Sequence, residues 1–137
     1  MQVNPHLAFN GECEAAFRFY GNCLGGKISF LMSYGDSPMA AEVPSDWRNK
    51  ILHATLEVGS YRITGADVPP GQYRRPEGFS VALNVVAAEE AEQVFRGLSE
   101  GGTIQVALQE TFWAVRFGMV VDRYGIPWMV NCGRPQN

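Results

Sequence analysis

The 137-residue sequence predicts an α+β fold of two similar modules, each a strand, a helix and three further strands. The first observation is a repeated helical segment, in which EAAFRFYGNCLGG at residues 14–26 is similar to EAEQVFRGLSEGG at residues 90–102. The second is a repeated strand segment, in which ILHATLEVGSYRI at residues 51–63 is similar to AVRFGMVVDRYGI at residues 114–126. Both blocks recur in the same order, so we predict two such modules, and we expect them to pack together because neither can cover both faces of its sheet alone.

The helical segments justify the second element of each module. Both carry apolar residues at helical spacing, and both end in Gly-Gly, where a left-handed residue can terminate a helix. Short strand-like stretches precede them (VNPHLAF and FSVALNVV) and follow them (KISFLMSY and TIQVALQ). The strand-like blocks of the second repeat then complete each module.

The repeats also set the module boundaries, at about residues 1–68 and 77–134 of a single domain. The helical blocks are offset by 102 − 26 = 76 residues and the strand blocks by 124 − 61 = 63, so the first module has an insertion of 76 − 63 = 13 residues. It lies within residues 35–50, which hold two prolines and no periodicity. Loops of this length often act as lids or partner contacts.

Composition excludes several classes of function. Eleven basic residues are scattered among fourteen acidic ones, so we expect no nucleic-acid binding. There is no apolar run of about 20 residues and no signal-peptide pattern, so we expect no membrane association and a cytoplasmic location. The three cysteines form no C-x-x-C pair, and Cys13 and Cys23 are expected to be small apolar side chains on a helix.

Strand alternation predicts which side chains face the helices. In the first module, Ala54 and Leu56 are assigned to the helix side, and His53, Thr55 and Glu57 to the opposite side. The remaining residues assigned to the helix side are Leu52, Val58, Leu7, Phe9, Ile28, Phe30, Val81, Leu83, Ile104, Val106, Leu108, Val115, Phe117, Met119 and Val121. The remaining residues assigned to the opposite side are Asn4, His6, Ser29, Ser33, Arg62, Thr64, Ser80, Asn84, Gln105, Gln109, Arg116 and Asn131.

This polar side can be read in two ways. An antiparallel sheet often exposes one polar face to water and needs no further role. The set here includes both histidines and two arginines, and it recurs in both modules. On a curved sheet it would line a polar cleft, the usual shape of a small-molecule site.

Several segments, above all TFWAVRFGMVVDRYGIPW at residues 111–128, resemble the vicinal oxygen chelate superfamily, which includes glyoxalase I, extradiol dioxygenases and bleomycin-resistance proteins. Within it, the segments NPHLAFNGECEAAFRFY, HATLEVG and EGGTIQVALQE are similar to the PhnB-like group, so the resemblance covers nearly the whole chain. The resemblance implies a glyoxalase-like fold, in which the two modules form a curved, cup-shaped mixed sheet with the helices outside. It also implies a homodimer, since paired modules often come from two chains, and we expect the insertion at residues 35–50 to close over the cup or the partner subunit.

The superfamily resemblance also implies a divalent metal held by His, Gln or Glu from four strands. The matching positions here are Asn4 or Pro5, Ala66, Ser80 and Met129. None is a good ligand for such an ion, so we expect no cofactor. A displaced site, built from His6, His53 and a carboxylate such as Asp67 or Asp36, remains an alternative.

His53 and Arg116 are the candidate catalytic residues. His53 can act as a general base near neutral pH, and Arg116 can hold an anionic or planar ligand beside Phe112 and Trp113. The alternative for Arg116 is a salt bridge to Glu57 or Glu110, and for Trp113 and Trp128 a place in the core. The full predicted ligand-binding set is His6, Glu57, Arg62, Ser80, Gln105, Phe112, Trp113, Met129 and Asn131. Asp122 is expected to cap the DRYG turn.

The sequence therefore predicts a protein that binds an unidentified small molecule, either without turnover or as a metal-independent enzyme. A metal-dependent lyase, isomerase or dioxygenase with displaced ligands is the second hypothesis, and a sequestering protein of the bleomycin-resistance type is the third. GLSEG at residues 97–101 matches G-x-S-x-G, and GNCLGGK at residues 21–27 matches G-x-x-x-x-G-K. Both lie at the end of a predicted helix, where they form neither a nucleophile elbow nor a phosphate-binding loop, and no glycine-rich loop that would hold a methyl donor is present.

Overall fold

The computed structural model describes residues 1–135 and divides into two compact units, Met1–Arg74 and a second from Arg75 onward. The strands and helix of unit 1 are β1 (His6–Phe9), α1 (Cys13–Leu24), β2 (Lys27–Ser33), β3 (Ile51–Val58) and β4 (Tyr61–Asp67). Those of unit 2 are β5 (Val81–Val85), α2 (Ala88–Ser99), β6 (Thr103–Gln109), β7 (Ala114–Val121) and β8 (Pro127–Gly133). The predicted α+β fold of two strand–helix–three-strand modules is confirmed. Neither α1 nor α2 is long and apolar enough to span a membrane.

Both units use the same sheet topology. The strand order is β1-β4-β3-β2 in unit 1 and β5-β8-β7-β6 in unit 2. The β1–β4 and β5–β8 pairs are parallel, and every other pair is antiparallel. A parallel pair needs a crossover, which the helix supplies, and this crossover covers one sheet face. The core of each unit lies between that helix and that face.

The glycine pairs end the helices as predicted. Gly25 and Gly101 have φ values of 70° and 73°, which suit glycine because it has no side chain. The second glycine of each pair lies against the third strand of its module. A Cβ added at Gly26 would lie 2.6 Å from the Glu57 carbonyl oxygen, and one added at Gly102 would lie 2.5 Å from that of Val121. Glu57 of β3 and Val121 of β7 are therefore equivalent positions. Their offset is 121 − 57 = 64 residues, one more than the offset of 63 in the sequence repeat.

This difference of one residue reverses the predicted faces of β7. Gly118 and Val120 are buried, and Gly118 packs against Phe95 of α2. Arg116 lies on the same face, so its assignment to the side away from the helices is wrong. The assignment to the helix side is wrong as well for four residues: Val115, Phe117, Met119 and Val121. The cause is hairpin length: Gly59 and Ser60 alone join β3 to β4, whereas five residues, 122–126, join β7 to β8.

Two β-bulges change the faces of the second strands. In β2, Ile28 pairs with Leu56 but Phe30 pairs with Thr55, so Phe30 shares a face with Thr55. In β6, Ile104 pairs with Val120 but Val106 pairs with Met119, and the extra residue is Gln105. The predicted helix-side positions of Phe30 and Val106 are therefore wrong, because an unpaired residue shifts the alternation by one.

The predicted faces hold where the strands are regular. Leu7, Phe9, Ala54 and Leu56 are buried in unit 1. In unit 2, Trp128 and Val130 are buried, which confirms Trp128 as a core residue. Val81 and Leu83 pair with these two residues and share their face.

A buried carboxylate, Asp67, joins three segments of unit 1. Its Oδ1 accepts a hydrogen bond from the Cys13 N–H at 2.9 Å, and its Oδ2 accepts one from the Ile51 N–H at 2.8 Å. Its carbonyl oxygen accepts a 2.7 Å bond from the Tyr34 hydroxyl. Burial raises the pKa of the Cys13 thiol, and the negative charge of Asp67 adds to this, so Cys13 stays a neutral, buried side chain as expected.

The insertion between β2 and β3 is more ordered than predicted. It holds two short 3-10 helices, Ala40–Glu42 and Ser45–Trp47, and its ends are joined by a 2.9 Å bond from the Gly35 N–H to the Arg48 carbonyl. The Trp47 and Tyr34 side chains are buried within unit 1. That this insertion acts as a closing loop stays a prediction.

Asp122 organises the β7–β8 turn, as predicted. Its Oδ1 accepts hydrogen bonds from the Tyr124 and Ile126 N–H groups at 2.7 and 3.1 Å. Its Oδ2 accepts a 2.8 Å bond from Trp128 Nε1, so the same carboxylate also satisfies the polar atom of the largest core side chain.

Packing of the helices on glycine gives a stability prediction. A Cβ at Gly65 would lie 2.8 Å from the Phe17 ring, and one at Gly118 would lie 2.7 Å from the Phe95 ring. Gly65→Ala and Gly118→Ala should therefore each destabilise the protein by about 1–3 kcal/mol through overpacking. Gly133→Ala is the matched control, since no heavy atom lies within 4 Å of its added Cβ. Equal denaturant midpoints for all three variants would contradict this account.

Candidate functional site

The face of the unit 1 sheet away from α1, called here the open face of unit 1, carries most of the predicted site. Its members are His6, Ala8, Lys27, Phe30, Met32, His53, Thr55, Glu57, Arg62, Thr64 and Ala66. The register sets their order across the sheet, because His6 pairs with Thr64, Thr64 with Thr55, and Thr55 with Phe30. The structure thus brings together four predicted ligand contacts or catalytic groups: His6, His53, Glu57 and Arg62.

The two histidines form a stacked pair, called here the histidine pair. Their ring centroids are 6.1 Å apart and their planes differ by 19°. His6 comes from β1 and His53 from β3, so the contact depends on the parallel pairing of β1 with β4. This confirms the prediction that both histidines lie on one face.

A threonine hydroxyl lies beside each imidazole. Thr64 Oγ1 is 2.7 Å from His6 Nδ1, and Thr55 Oγ1 is 3.4 Å from His53 Nε2. Burial lowers the pKa of His6, and the nearby His53 lowers it further. His6 is therefore a neutral imidazole at pH 7, a form that can accept or transfer a proton.

Charged and aromatic groups border the histidine pair. Arg62 Nε lies 3.5 Å from Glu57 Oε1, a long and partly solvated contact that is weak in water. The Phe30 ring centroid is 5.8 Å from that of His53, and Phe30 is 44% exposed. Phe30 was missed as a site residue because nothing in the strand pattern marks the bulge that turns it to this face.

The donor atoms at the superfamily's metal positions do not fit a divalent metal. Ala66 offers only a methyl group, and Ser80 and Met129 offer a hydroxyl and a thioether, which are poor ligands for such ions. Asp67 cannot complete a displaced site with the histidine pair, since its carboxylate faces the start of α1, where it accepts the Cys13 N–H. Among residues 1–135, no group of three or more His, Cys, Asp or Glu side chains is placed to hold a metal ion.

The corresponding open face of unit 2 is less polar. Asn131 Nδ2 donates a 3.3 Å hydrogen bond to Asn84 Oδ1, and Asn131 Oδ1 is buried with no partner among the described residues. Met129 shares this face. Ser80 directly precedes β5 and alternates with Ala82 and Asn84, so it belongs to the same face. Gln105 occupies the β6 bulge and is exposed.

An aromatic cluster stands next to these residues. Trp113 packs edge-to-face on Phe117 at 5.2 Å, and Phe112 packs on Trp113 at 4.8 Å. Phe112 and Trp113 are 89% and 48% exposed, so Trp113 is not a core residue. The sequence reasoning missed Phe117, because the repeat alignment placed it on the helix side.

Arg116 lies on the opposite face of β7 from this aromatic cluster. Its Nε donates a 3.1 Å hydrogen bond to Glu92 Oε1 on α2, and its Nη1 donates a 2.8 Å bond to the Val115 carbonyl. The salt bridge is therefore with Glu92 and with neither expected carboxylate; Glu110 pairs with Arg134 at 2.8 Å. The predicted position of Arg116 beside the aromatic wall is wrong, because β7 faces α2 with residues 116, 118 and 120.

Comparisons with known proteins identify relatives along the whole chain. A family model described as 3-demethylubiquinone-9 3-methyltransferase matches residues 1–131. Protein YjdN of Escherichia coli is 33% identical over 144 residues, covering 99% of this chain and 98% of YjdN. The crystal structure of protein PA1353 from Pseudomonas aeruginosa is 45% identical, covers 98% of this chain and 99% of that one, and superposes with a TM-score of 0.90.

A more distant structure shows that the fold extends beyond this family. The glyoxylase/bleomycin resistance protein/dioxygenase domain from Frankia is 16% identical, covers 98% of each chain and has a TM-score of 0.67. At that identity the likeness concerns the fold alone. The family match over residues 1–131 identifies the chain as a member of the 3-demethylubiquinone-9 3-methyltransferase family.

Proposed function

We propose that this protein binds a small organic molecule on the open face of unit 1, with the histidine pair as its central polar contact and without a divalent metal. The observation that carries the proposal is the pair itself: two stacked imidazoles 6.1 Å apart, each beside a threonine hydroxyl, on a face the helix does not cover. A sheet face that only meets water has no need to stack two imidazoles in this way.

The neighbouring side chains support a small ligand over a macromolecule. Ala8 and Ala66 face each other in adjacent strands and leave space beside the imidazoles. Phe30 supplies apolar surface, and Arg62 with Glu57 supplies charged groups at the border. A few polar groups next to apolar surface are typical of ligand sites.

The family description names a methyl transfer, and the Frankia domain is named for glyoxylase, resistance and dioxygenase functions. These names support small-molecule chemistry without selecting one reaction. The residues favour metal-independent proton transfer if the bound molecule reacts, since His6 and His53 can act as acid or base.

We also propose that the protein forms a homodimer.

Ligand binding can be tested by NMR with isotope-labelled protein and a small-fragment library. We expect hits that shift the ring resonances of His6 and His53, with affinity reduced about tenfold in His6→Ala and in His53→Ala. Arg116→Ala is the control and should bind these fragments as the wild type does, because Arg116 faces α2.

The same samples distinguish the metal-dependent alternative. After treatment with a chelator, Zn²⁺ or Mn²⁺ should add no stoichiometric heat in calorimetry and should not change fragment affinity. Stoichiometric metal binding that is lost in His6→Ala would contradict the proposal, as would fragments that bind without affecting either histidine.

The stacking of the histidines predicts a pH dependence. The pKa of His6 should lie below its usual value of 6.5, measured from its ring proton shifts, and should rise in His53→Gln while remaining lowered by burial. Because the folded pKa is lowered, the unfolded chain binds more protons as the pH falls below 6.5, so the contribution of His6 to stability is lost in that range. An unchanged His6 pKa in His53→Gln would show that the rings do not interact.

A further inference from the structure

We propose that the ligand of the open face of unit 1 is a small aromatic carboxylate, whose ring lies over the histidine pair and whose anionic group is held by Arg62 and Lys27. This inference rests on the proposed function and adds the class of ligand. It is carried by the way that charged and apolar side chains are separated along the strands of this face.

The Lys, Arg and Glu side chains of this face lie in a single row across three strands, called here the charged row. Lys27 of β2 pairs with Glu57 of β3, and Glu57 pairs with Arg62 of β4. Side chains on one face that are paired across strands in this way are direct neighbours. The charged row therefore holds two cations and one carboxylate, a net charge of 2 − 1 = +1.

Glu57 does not satisfy both cations of the charged row. Its contact with Arg62 is the 3.5 Å approach of Oε1 to Nε, and within residues 1–135 the Nη donors of Arg62 have no hydrogen-bond partner. Lys27 is exposed and forms no ion pair in the same part of the chain. A guanidinium group can bind a carboxylate through two parallel N–H donors, so an incoming carboxylate gains bonds that the row itself does not use. A cationic ligand would instead meet two like charges.

The rest of the face suits the aromatic part of such a ligand. The next row holds His6, Thr64, Thr55 and Phe30, and the residues beyond it are Ala8, Ala66, His53 and Met32. The imidazole planes of the histidine pair differ by 19°, and the exposed Phe30 ring lies 5.8 Å from that of His53. Flat rings beside small apolar side chains favour an aromatic ring, which can pack in offset or edge-on geometry.

The spacing of the rows determines how the two parts of the ligand are joined. Arg62 and Thr64 are two residues apart on β4, which is about 6.5–7 Å along a strand. A ring over the histidine pair therefore needs a short carbon chain to bring its carboxylate to Arg62, rather than a carboxylate bonded directly to the ring.

The test compares three probes with one skeleton: 3-phenylpropanoate, the neutral 3-phenylpropanamide and the cationic 3-phenylpropylamine. Near neutral pH and at low salt, the intact protein should bind the carboxylate about three- to fivefold more tightly than the amide, as expected for a partly exposed ion pair. The amine should bind least. Binding is measured from the ring resonances of His6 and His53, and the advantage of the carboxylate should decrease as salt is added.

Substitutions in the charged row should change this preference in opposite directions. Arg62→Gln removes a cation and should reduce the preference to about twofold or less, whereas Glu57→Gln removes the competing carboxylate and should increase it about two- to threefold. Arg18→Gln is the matched control, since it removes an equal charge from α1, which covers the other face of the sheet. It should keep the wild-type preference.

Equal binding of the carboxylate and the amide would overturn the inference, as would tightest binding of the amine or no binding of the carboxylate. An equal loss of preference in Arg62→Gln and Arg18→Gln would also overturn it, because it would show a general effect of net charge. In each case, neutral fragments that shift the ring resonances of His6 and His53 would still support the proposed function, so the two failures are distinguishable.

Discussion

Each unit depends on a contact between an aromatic side chain of its helix and a glycine in its sheet. Phe17 of α1 lies over Gly65, and Phe95 of α2 lies over Gly118. A larger residue at either glycine would hold the helix away from the strands. Because side chains alternate along a strand, this single contact determines which residues are buried and which remain on the open face.

The consequences for the candidate site are opposite in the two units. In unit 1 the contact buries Ala54 and Leu56, and so leaves His53 beside His6 on the open face. In unit 2 it directs Arg116 toward Glu92 and leaves Phe117 with Trp113 on the other face. The position equivalent to His53, at an offset of 64, is thus Phe117, so one module offers polar groups and the other offers aromatic surface.

The sequence was sufficient to predict the order of the elements, the helix ends and the face of His53, since periodicity and Gly-Gly signals are local. It was not sufficient for Arg116, Phe30 or Val106. Arg116 was misplaced because the two hairpins differ in length while their strands look alike in sequence. Phe30 and Val106 were misplaced by bulges, which arise when the pairing with β3 or β7 shifts by one residue and leave no mark in the strand's own composition.

The central claim is that the histidine pair lies on the face away from the helix, and side-chain nuclear Overhauser effects test it most directly. The account predicts cross-peaks from the His53 ring to His6 and Phe30, and none from His53 to Phe17. Cross-peaks between the His53 ring and Phe17 of α1, with none to His6, would contradict it.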